Sequence, residues 1–533
     1  MRLSEEIQKA FFLHANRPAI SRFVPPDSLT TLHYGLLAHR AEEWASYLSS
    51  QGSKANDLIL GYMNKTPDLV AMILGSILSG ALPCSLNSRT KLTQILNITA
   101  EARPKFIVID PGNLLSLTEI KGRFDHNLQF ILKGKEEELK AADGMIKRLE
   151  PHLKIKKFIV PKEAERRFVI RRDSQGERAG ICLFTSGSTG VPKGVLISRD
   201  DLYERAKAEM EDYELNPNDR LLSVLPFSFD VGMNQLFASL LTGSHLVILN
   251  SYFPKDIIQA VNIAGITGIS AVPSIWANML AQAEEPRCRL DLCGLRYVTI
   301  SGGDLGRDQL IRLKSYLNGV KIFKTYGQTE TFRSTMLKPW DFEKKMTSVG
   351  KHLKGTQVFI LDREGKIAEP NQEGEIIHFG TGTMLGYFND SWETAKRLKS
   401  PPKLLSPFLK GKVVYTGDRG KMDEEGYLYV LGREDGMIKT WGFRVYSKEV
   451  ENQILEFKGV RNAAVVGIKH SIKGESILAE VVADPKLEIK DLERYLKNEL
   501  PHYMVPERIY LVDSLPMTDN GKINYPAIKR KYE

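Results

Sequence analysis

Cysteine is scarce in this sequence: the chain of 533 residues contains four, Cys84, Cys182, Cys288 and Cys293. No two of them form a C-x-x-C pair, and no histidine lies beside them at the spacing of zinc ligands. This scarcity argues against a disulfide framework and against a structural zinc site. We therefore expect a reduced, cytoplasmic protein.

Long uninterrupted apolar runs are also missing. The most apolar stretch, residues 69–86, is broken by Gly75 and Pro83, so it predicts a buried helix followed by a strand and not a membrane span. The first twenty residues include two acids, Glu5 and Glu6. A signal peptide would instead begin with basic residues and continue with apolar ones, so we expect none here.

The composition, with 42% hydrophobic and 26% charged residues, excludes a disordered chain and a membrane bundle. The length exceeds what one hydrophobic core supports, so two or more domains are expected. The formal net charge of +9 suits nucleic acid, an anionic lipid surface or a phosphorylated small molecule. The most charge-rich stretch, residues 133–178, mixes acids with its bases and has few aromatics. We interpret it as a solvated helix and a surface loop, and we expect no nucleic-acid partner.

Short β-rich runs alternate with helix-like segments through the first four fifths of the chain, which predicts α/β layering. Near Gly432 a compact alternation of strands and helices begins. We predict an α/β body over residues 1–434 and a small α+β domain over residues 435–533. Glycines flank Glu434 and Asp435 at this junction, which suits a rotating connection and equally an ordinary turn.

The strongest local motif is a loop of small and hydroxyl-bearing residues between two apolar strands, Thr185-Ser186-Gly187-Ser188-Thr189-Gly190-Val191-Pro192-Lys193-Gly194. Small residues let backbone amides approach phosphate oxygens, while hydroxyls add donors and a lysine adds positive charge. The loop is not a Walker A motif, because Pro192 and not glycine precedes Lys193. It predicts a phosphate-binding loop, and a flexible hairpin is the alternative.

This loop is one of a series of motifs that occur in the same order in the AMP-forming enzymes that activate acyl groups and amino acids. The other motifs are Leu78-Ser79-Gly80-Ala81-Leu82-Pro83, Ser301-Gly302-Gly303-Asp304, Tyr326-Gly327-Gln328-Thr329-Glu330, Gly374-Glu375, Gly386-Tyr387-Phe388-Asn389, Tyr415-Thr416-Gly417-Asp418, Gly432-Arg433-Glu434-Asp435, Gly442-Phe443-Arg444-Val445 and Asn520-Gly521-Lys522-Ile523. The chain resembles acyl-CoA synthetases, nonribosomal peptide adenylation domains and luciferases over nearly its whole length. Residues 225–230 and 330–335 resemble most the free-standing adenylation enzymes and acyl-CoA ligases. The resemblance implies the adenylate-forming enzyme fold, with the small C-terminal domain as a mobile lid.

The resemblance also implies a reaction in which ATP and a carboxylate form an acyl adenylate and pyrophosphate, before the acyl group passes to a thiol. Lys522 would bridge the carboxylate and the α-phosphate as the catalytic lysine, and a surface lysine in an Asn-Gly turn is the alternative. Thr329 would contact the α-phosphate, and Glu330 would hold Mg²⁺. The other ATP-binding residues implied are Thr185, Ser186, Gly187, Ser188, Thr189, Gly190 and Lys193 at the β- and γ-phosphates, Tyr326 against adenine, Asp418 and Arg433 at the ribose, and Gly303, Asp304 and Gly327.

Two further positions concern the second half-reaction, and two depart from the family pattern. By resemblance, Asp435 is the hinge of the lid and Gly442 lines the thiol tunnel. Arg199 stands where histidine is usual, and Gln328 stands where proline is common. Neither departure removes a catalytic group.

Phe229 and Asp230 bear on the substrate, because amino-acid activating relatives have Phe-Asp here and bind the substrate's ammonium with the aspartate. The alternative is that Asp230 caps a helix over residues 231–241. Arg333 would bind a second carboxylate if it points into the pocket, and would otherwise pair with a surface acid or with Glu330. By resemblance the acyl pocket is lined by Phe229, Asp230, Val231, Asn234, Ile300, Gly302, Thr325, Arg333 and Ser334.

We therefore expect an AMP-forming ligase that uses ATP and Mg²⁺ to activate a carboxylic acid, with an amino acid favoured. The expected acceptor is the phosphopantetheine thiol of a carrier protein, and this carrier is expected to be a separate chain because none follows Glu533. An acyl-CoA or aryl-CoA synthetase that uses free CoA is the near alternative. A non-catalytic nucleotide-binding paralogue is the remote one, and the joint presence of Lys522, Glu330, Asp418 and Arg433 argues against it.

Overall fold

The computed structural model describes residues 2–88, 90–117, 128–149, 154–159, 179–185, 192–282, 290–433, 436–440, 443–470, 473–518 and 521–533. In this part of the chain, three sheets build a large body and a fourth builds a C-terminal unit. The predicted α/β body followed by a smaller α+β part is confirmed. The boundary predicted between residues 434 and 435 lies outside the described residues and stays a prediction.

The first sheet carries the parallel strands that shape the candidate site. Its strands in spatial order are β16 (Lys351–His352), β15 (Thr335–Leu337), β14 (Lys321–Tyr326), β13 (Tyr297–Ser301), β12 (Gly268–Ala271), β10 (Arg220–Ser223), β11 (His245–Leu249), β1 (Pro18–Val24) and β2 (Ser28–His33). The strands from β14 to β1 are parallel, and β15, β16 and β2 are antiparallel additions at the edges. The parallel strands are almost wholly buried and apolar, as expected for a sheet covered on both faces.

The second sheet leads into the glycine-rich loop. Its strands in spatial order are β19 (Gly386–Tyr387), β9 (Lys193–Ser198), β8 (Ala179–Thr185), β4 (Leu82–Leu86), β3 (Leu58–Tyr62), β5 (Phe106–Ile109), β6 (Gln129–Gly134) and β7 (Lys154–Ile159). The surface-loop interpretation of residues 133–178 is wrong for residues 154–159, which form the edge strand β7. The reason is Phe158, whose ring packs 4.0 Å from that of Trp44 and so holds a lysine-rich strand on the sheet.

Helices cover both sheets. They are α1 (Arg2–Leu13), α2 (Tyr34–Ser50), α3 (Pro67–Leu78), α4 (Leu92–Ala102), α5 (Pro111–Leu117), α6 (Glu136–Ala141), α7 (Asp143–Leu149), α8 (Arg199–Asp212), α9 (Asp230–Thr242), α10 (Pro254–Ala264), α11 (Pro273–Gln282), α12 (Arg307–Tyr316), α13 (Phe342–Lys345) and α14 (Ser391–Arg397). The predicted helix followed by a strand over residues 69–86 is confirmed as α3 and β4. Because α3 is apolar on every face, it lies fully inside the body. A Cβ on its Gly75 would lie 2.3 Å from the Cβ of Trp44, so glycine lets α2 and α3 approach.

The small third sheet carries Asp418 and Arg433, two residues expected at the ribose. Its strands are β17 (Thr356–Leu361), β18 (Gly374–Gly380), β21 (Val413–Met422) and β20 (Leu398–Lys399), with β22 (Leu428–Arg433) paired to β21. The register of β21 and β22 places Asp418 directly opposite Arg433.

The C-terminal unit has its own hydrophobic core. It contains β23 (Met437–Thr440), β24 (Phe443–Tyr446), α15 (Ser447–Leu455), β25 (Val460–His470), β26 (Gly474–Ala483), α16 (Ile489–Glu499), β27 (Arg508–Leu511) and α17 (Tyr525–Tyr532). It packs on the body through α15 and α12, where a Cβ on Gly306 would lie 2.7 Å from the Cβ of Leu455. The Gln309 side chain also donates to the carbonyl oxygen of Arg461 at 2.5 Å. These contacts bring the loop before α17 to the first sheet.

Candidate active site

The candidate active site is a cavity at the carboxyl ends of β13 and β14, beside the N-terminus of α9. Ligands bind at this edge in open α/β sheets. Together with its opening to solvent, the cavity has about 330 Å³ of empty space. Its lining consists of Phe229, Asp230, Val231, Asn234, Ser301, Gly302, Thr325, Gly327, Phe332 and Arg333. The structure therefore brings together most of the residues that sequence resemblance assigned to an acyl pocket.

Two of the residues expected in this lining lie behind it. Ile300 is fully buried in the core next to the sheet, because side chains alternate along a strand and its neighbour Ser301 faces the cavity. Ser334 is also fully buried; its hydroxyl donates to Thr331 Oγ1 at 3.0 Å and lies 3.0 Å from His378 Nδ1. The expectation that Ile300 and Ser334 line the pocket is corrected on these grounds.

Asp230 places a buried carboxylate in the cavity wall, with 8% of the residue exposed. Helix α9 begins at Asp230 and its cap residue is Phe229, while Asp230 Oδ1 accepts a hydrogen bond from the Val231 amide at 2.9 Å. Asp230 is thus the first residue of α9 and not its N-cap, and its carboxylate satisfies one of the free amides of the first turn. Burial raises the pKa of Asp230, and the charges of Lys522 and Arg333 oppose this shift. The effect of burial on the pKa exceeds that of the nearby positive charges. A cavity carboxylate with a raised pKa is typical of a functional site.

Lys522 reaches the cavity from the C-terminal unit. Its Nζ lies 4.6 Å from the centroid of the Phe229 ring, and the side chain remains open to solvent on its other side. The turn that carries it is anchored, because the Ser274 hydroxyl of α11 donates to the Gly521 carbonyl oxygen at 2.8 Å. The Lys522 amide also donates to Thr518 Oγ1 at 3.1 Å. The ammonium group is thus held above the cavity that contains Asp230.

Two glycines keep the cavity open. Gly302 has a φ of +78°, and a Cβ there would lie 3.0 Å from Lys522 Cε. A Cβ on Gly327 would lie 2.4 Å from the Cα of Arg333. Any side chain at either position would displace a residue of the site, which is the physical reason for glycine in both motifs.

Arg333 lines the cavity, but its charge is already matched by a buried acid. The guanidinium Nη1 lies 3.4 Å from Glu209 Oε2 and donates to the Tyr213 hydroxyl at 3.2 Å. The partner is therefore neither a surface acid nor Glu330, which were the alternatives to a pocket role. Burial raises the pKa of Glu209, and the Arg333 charge opposes that shift. The Asn234 amide donates to the same carboxylate, while Asn234 Oδ1 has no hydrogen-bond partner among the described residues.

The backbone of this wall is strained. Phe332 and Arg333 have φ values of +41° and +84°, a backbone region that residues other than glycine rarely adopt. Strain of this kind persists where the surroundings enforce it and concentrates at binding sites. Here the buried Arg333–Glu209 pair and the close approach of Gly327 enforce it.

Asp418 is the central carboxylate of the expected ribose site. The Tyr326 hydroxyl and the Gln328 amide each donate to Asp418 Oδ2 at 2.7 Å, and Arg433 Nη1 lies 3.7 Å from Oδ1. Burial raises the pKa of Asp418, and Arg433 and the two hydrogen bonds oppose this shift. Gln328, which looked like a departure from the family, is thus a positioning residue for Asp418.

Glu330 and Lys193 both lie next to Tyr387. The Tyr387 hydroxyl donates to Glu330 Oε1 at 2.8 Å, and Lys193 Nζ lies 5.8 Å from the centroid of the Tyr387 ring. Lys193 Nζ also lies 2.5 Å from a carboxylate oxygen of Glu393. Lys193 and Lys396 together hold the pKa of Glu393 below its usual value. Glu393 is therefore a counterion of the lysine that ends the glycine-rich loop.

The remaining expected residues lie around the same edge. Thr185 and Lys193 face each other across β8 and β9, next to the glycine-rich loop. Thr329 lies in the turn between β14 and β15. Asp304 is 2.8 Å from Lys324 Nζ, and a Cβ on the neighbouring Gly303 would lie 3.2 Å from Pro273. Some expected residues fall outside the described part of the chain, namely Ser186, Gly187, Ser188, Thr189, Gly190, Asp435 and Gly442.

Arg199, the second departure from the family pattern, lies away from the cavity lining. It is 2% exposed, and its guanidinium donates to Ser4 Oγ at 3.1 Å and to the Ile77 carbonyl oxygen at 3.0 Å. It therefore ties α8 to α1 and α3.

Sequence reasoning missed Glu209, Tyr213, Tyr387 and Glu393 as residues of the site. Tyr387 belongs to a quoted motif, so the motif itself was the available signal. Glu209 and Tyr213 give none, because a single acid and a single aromatic in a charged helix are indistinguishable from surface residues. Within the described residues, no group of three or more His, Cys, Asp or Glu side chains is arranged to hold a metal ion. None of the described helices is long and apolar enough to cross a membrane.

Comparison with known proteins gives a consistent result. The family model described as AMP-binding enzyme matches residues 8–388, and that described as AMP-binding enzyme C-terminal domain matches residues 449–522. Bacitracin synthase 3 from Bacillus licheniformis is 31% identical over 349 residues, which are 65% of this chain and 5% of that protein. Indoleacetate–CoA ligase from Aromatoleum aromaticum is 28% identical over 539 residues, which cover 99% of this chain and 98% of that protein. The solved structure of o-succinylbenzoate CoA synthetase from Bacillus subtilis, in complex with the acyl-adenylate intermediate OSB-AMP, has a TM-score of 0.79 at 24% identity and covers 98% of both chains.

Proposed function

This chain belongs to the AMP-binding enzyme family of AMP-forming ligases, and from that premise we propose that it activates an amino acid as its adenylate and transfers it to a thiol. The observation that supports the amino acid is the buried Asp230 carboxylate in the cavity wall, below the Lys522 ammonium. A carboxylate at this position binds a substrate ammonium through a charge-assisted hydrogen bond.

The charges around the cavity favour a neutral side chain on that amino acid. The lining and its first contacts contain two buried carboxylates, Asp230 and Glu209, and one buried guanidinium, Arg333. Arg333 is paired with Glu209, and Lys522 acts on the reacting groups in this proposal, so the Asp230 carboxylate is left for a single ammonium. An acidic side chain would have to compete with Glu209 for Arg333, so we do not expect an acidic amino acid.

Lys522 acts on the reacting groups in this proposal. The substrate carboxylate attacks the α-phosphorus of ATP, pyrophosphate leaves, and the developing negative charge needs a fixed positive group. The Lys522 ammonium supplies that group, while the substrate ammonium on Asp230 fixes the orientation of the acid. Asp418 and Arg433 hold the ribose, and Tyr326 lies against the base.

Mg²⁺ fits the residues present. The ion binds proteins through one or two carboxylates and completes its coordination with substrate phosphates and water. Glu330, with its carboxylate oriented by Tyr387, would supply the protein ligand, and Lys193 would supply charge to the phosphates. When bound, Mg²⁺ would neutralise the phosphate charge.

ATP–pyrophosphate exchange with paired acids tests the proposal. Each pair differs only in the amine: phenylalanine with 3-phenylpropanoate, valine with 3-methylbutanoate, and aspartate with succinate. We expect exchange with a neutral amino acid and little with its desamino partner or with aspartate. Exchange with desamino acids alone would refute the amino-acid substrate, and no exchange with any of these six acids would refute a neutral amino acid of the two kinds tested.

A second candidate function, an acyl-CoA or aryl-CoA synthetase that uses free CoA, is supported by the full-length similarity to indoleacetate–CoA ligase. The acceptor distinguishes it from loading of a separate carrier protein. Once the activated acid is known, CoA and a phosphopantetheine-bearing carrier protein are offered in parallel after adenylate formation. Product formed on CoA alone supports the synthetase, and product formed on the carrier supports the adenylation enzyme.

A further inference from the structure

The segment from α14 to the first half of β21 has an unusual charge. Between Glu393 and Asp418 the chain contains six basic residues and no acid, although acids make up 65 of its 533 residues. The six are Lys396, Arg397, Lys399, Lys403, Lys410 and Lys412. Within the described part of the chain, Lys403, Lys410 and Lys412 form no ion pair, and all three side chains are exposed.

The same segment exposes two large apolar side chains. Phe408 is 81% exposed and Leu404 is 62% exposed. Backbone hydrogen bonds form helical turns here, since the Ser406 amide donates to the Pro402 carbonyl and the Leu409 amide to the Leu405 carbonyl, both at 2.9 Å. Residues four apart in such turns share a face, so Leu404 and Phe408 project together.

The opposite face of these turns anchors the segment to the body. Leu405 and Leu409 are buried against Ile377 and Val413 of the third sheet. Leu404 and Phe408 therefore lie on the outer side of a segment whose inner side is packed on the body. Single exposed apolar residues need no explanation, whereas an apolar pair within a cluster of cations suggests a partner.

We propose that this basic apolar surface, formed by Leu404, Phe408, Lys403, Lys410 and Lys412, docks the protein onto an anionic lipid bilayer. Side chains exposed to this degree project from the surface and do not line a groove, so a partner protein would need a matching pocket while lipid needs none. Apolar side chains that enter the interfacial region and lysines that meet anionic headgroups account for both features. The protein would lie on the membrane without crossing it.

Docking here leaves the active site accessible. Val413, at the start of β21, lies five residues before Asp418, roughly 17 Å along the strand. Neither apolar residue nor any of the three lysines belongs to the catalytic or binding machinery. Changes in this surface are therefore expected to leave ATP–pyrophosphate exchange unchanged.

Vesicle co-sedimentation of the full chain tests the proposal. The vesicles are pure phosphatidylcholine and phosphatidylcholine with 30% phosphatidylglycerol. We expect at least tenfold tighter binding to the anionic vesicles, with a loss of affinity as salt is raised. Equal binding to both kinds of vesicle, or no binding to either, would overturn the proposal.

Two variants and two matched controls assign the binding to this surface. Leu404→Ser/Phe408→Ser and Lys403→Glu/Lys410→Glu/Lys412→Glu should each weaken binding at least tenfold. The controls are Phe253→Ser, at another exposed phenylalanine, and Lys486→Glu/Lys490→Glu/Lys497→Glu, which changes the net charge equally on the C-terminal unit. Equal losses in variants and controls would overturn the assignment. So would sedimentation velocity showing that Leu404→Ser/Phe408→Ser converts an oligomer to a monomer, because the surface would then bind a second copy of the chain.

Discussion

Buried carboxylates occur on both sides of the candidate active site, but their partners differ. On the acyl side, Glu209 is paired with the Arg333 guanidinium, whereas Asp230 forms no ion pair among the described residues and is influenced by the Lys522 and Arg333 charges. On the nucleotide side, Asp418 accepts hydrogen bonds from two neutral donors, Tyr326 and Gln328, and the half-exposed Arg433 guanidinium lies 3.7 Å away. Glu330 is likewise held by the neutral hydroxyl of Tyr387.

This difference indicates how each side is prepared for its ligand. Neutral donors orient Asp418 and Glu330 for hydroxyl groups or a cation, and the Arg433 guanidinium at 3.7 Å partly balances the charge of Asp418. The acyl side instead balances one charge internally and leaves Asp230 in excess. On the acyl side, the substrate must therefore supply the positive charge that neutralises Asp230.

The largest expected effect comes from breaking the buried Arg333–Glu209 ion pair of the acyl side. Glu209→Gln removes the carboxylate that is paired with the buried Arg333 guanidinium, which should lower the free energy of unfolding by about 3–5 kcal/mol. Urea unfolding followed by intrinsic fluorescence measures the loss. Glu211→Gln, at an exposed acid of the same helix, is the control and should change it by less than about 0.5 kcal/mol. Equal stability of the two variants would show that the Arg333–Glu209 pair does not balance the charge.

Lys522→Ala should reduce catalysis without reducing stability. Loss of a single group that stabilises transition-state charge typically lowers kcat by about 10²- to 10³-fold. The expected result is a loss of this size in ATP–pyrophosphate exchange with an unchanged urea midpoint. Lys497→Ala, an exposed lysine on the same unit, serves as the control. Normal exchange by Lys522→Ala would remove Lys522 from the proposed chemistry.

Tyr326→Phe should affect the nucleotide side alone. It removes one neutral donor from Asp418, and a hydrogen bond to a charged group contributes about 1.5–3 kcal/mol. We expect the KM for ATP to rise about tenfold or more, with little change in the KM for the acid. Tyr429→Phe removes a similar bond, from Tyr429 to Asp423 at 3.1 Å, outside the site. If both variants raised the KM for ATP equally, the positioning role of Tyr326 would be wrong.

The smallest effect is a gain of stability. Because burial raises the pKa of Asp230, the ionised carboxylate destabilises the folded, substrate-free protein at neutral pH. Asp230→Asn should therefore raise the free energy of unfolding by about 1 kcal/mol at pH 7. The gain should shrink as the pH falls through the raised pKa of Asp230 and should vanish below 3.8, the ordinary pKa of aspartate, where Asp230 is protonated in both states. A loss of stability on replacement, at every pH, would contradict the excess charge on the acyl side.

The two sides also differ in how much the sequence revealed. The residues proposed for the nucleotide side were predicted by resemblance, since Asp418, Glu330 and Lys193 lie in short motifs that occur in the same order in the family. Asp230 was predictable in the same way. The partner of Arg333 was not, because Glu209 lies 124 residues away along the chain and only the packing of α8 against the site brings them together.

Local structure also limited what the sequence could predict. Alternation along β13 places Ser301 in the cavity and Ile300 in the core, so a prediction that listed neighbouring residues necessarily included one that faces away. The lysine-rich strand β7 was hidden by its charge, because its place in the sheet depends on a contact between Phe158 and Trp44. Tertiary contacts of this kind carry no signal in a single sequence.

The most direct test of the proposed function is the preference of the enzyme for an amino acid over its desamino analogue, measured as the ratio of the two kcat/KM values in ATP–pyrophosphate exchange. The measurement is made on the native chain and on Asp230→Asn. Leaving one partner of a buried charge pair unmatched costs 2–5 kcal/mol, so the native enzyme should prefer the amino acid by at least about 30-fold. Asp230→Asn should lose most of that preference while still activating the desamino acid. A native enzyme that activates both acids equally, or a variant that keeps the full preference, would contradict the ammonium site at Asp230.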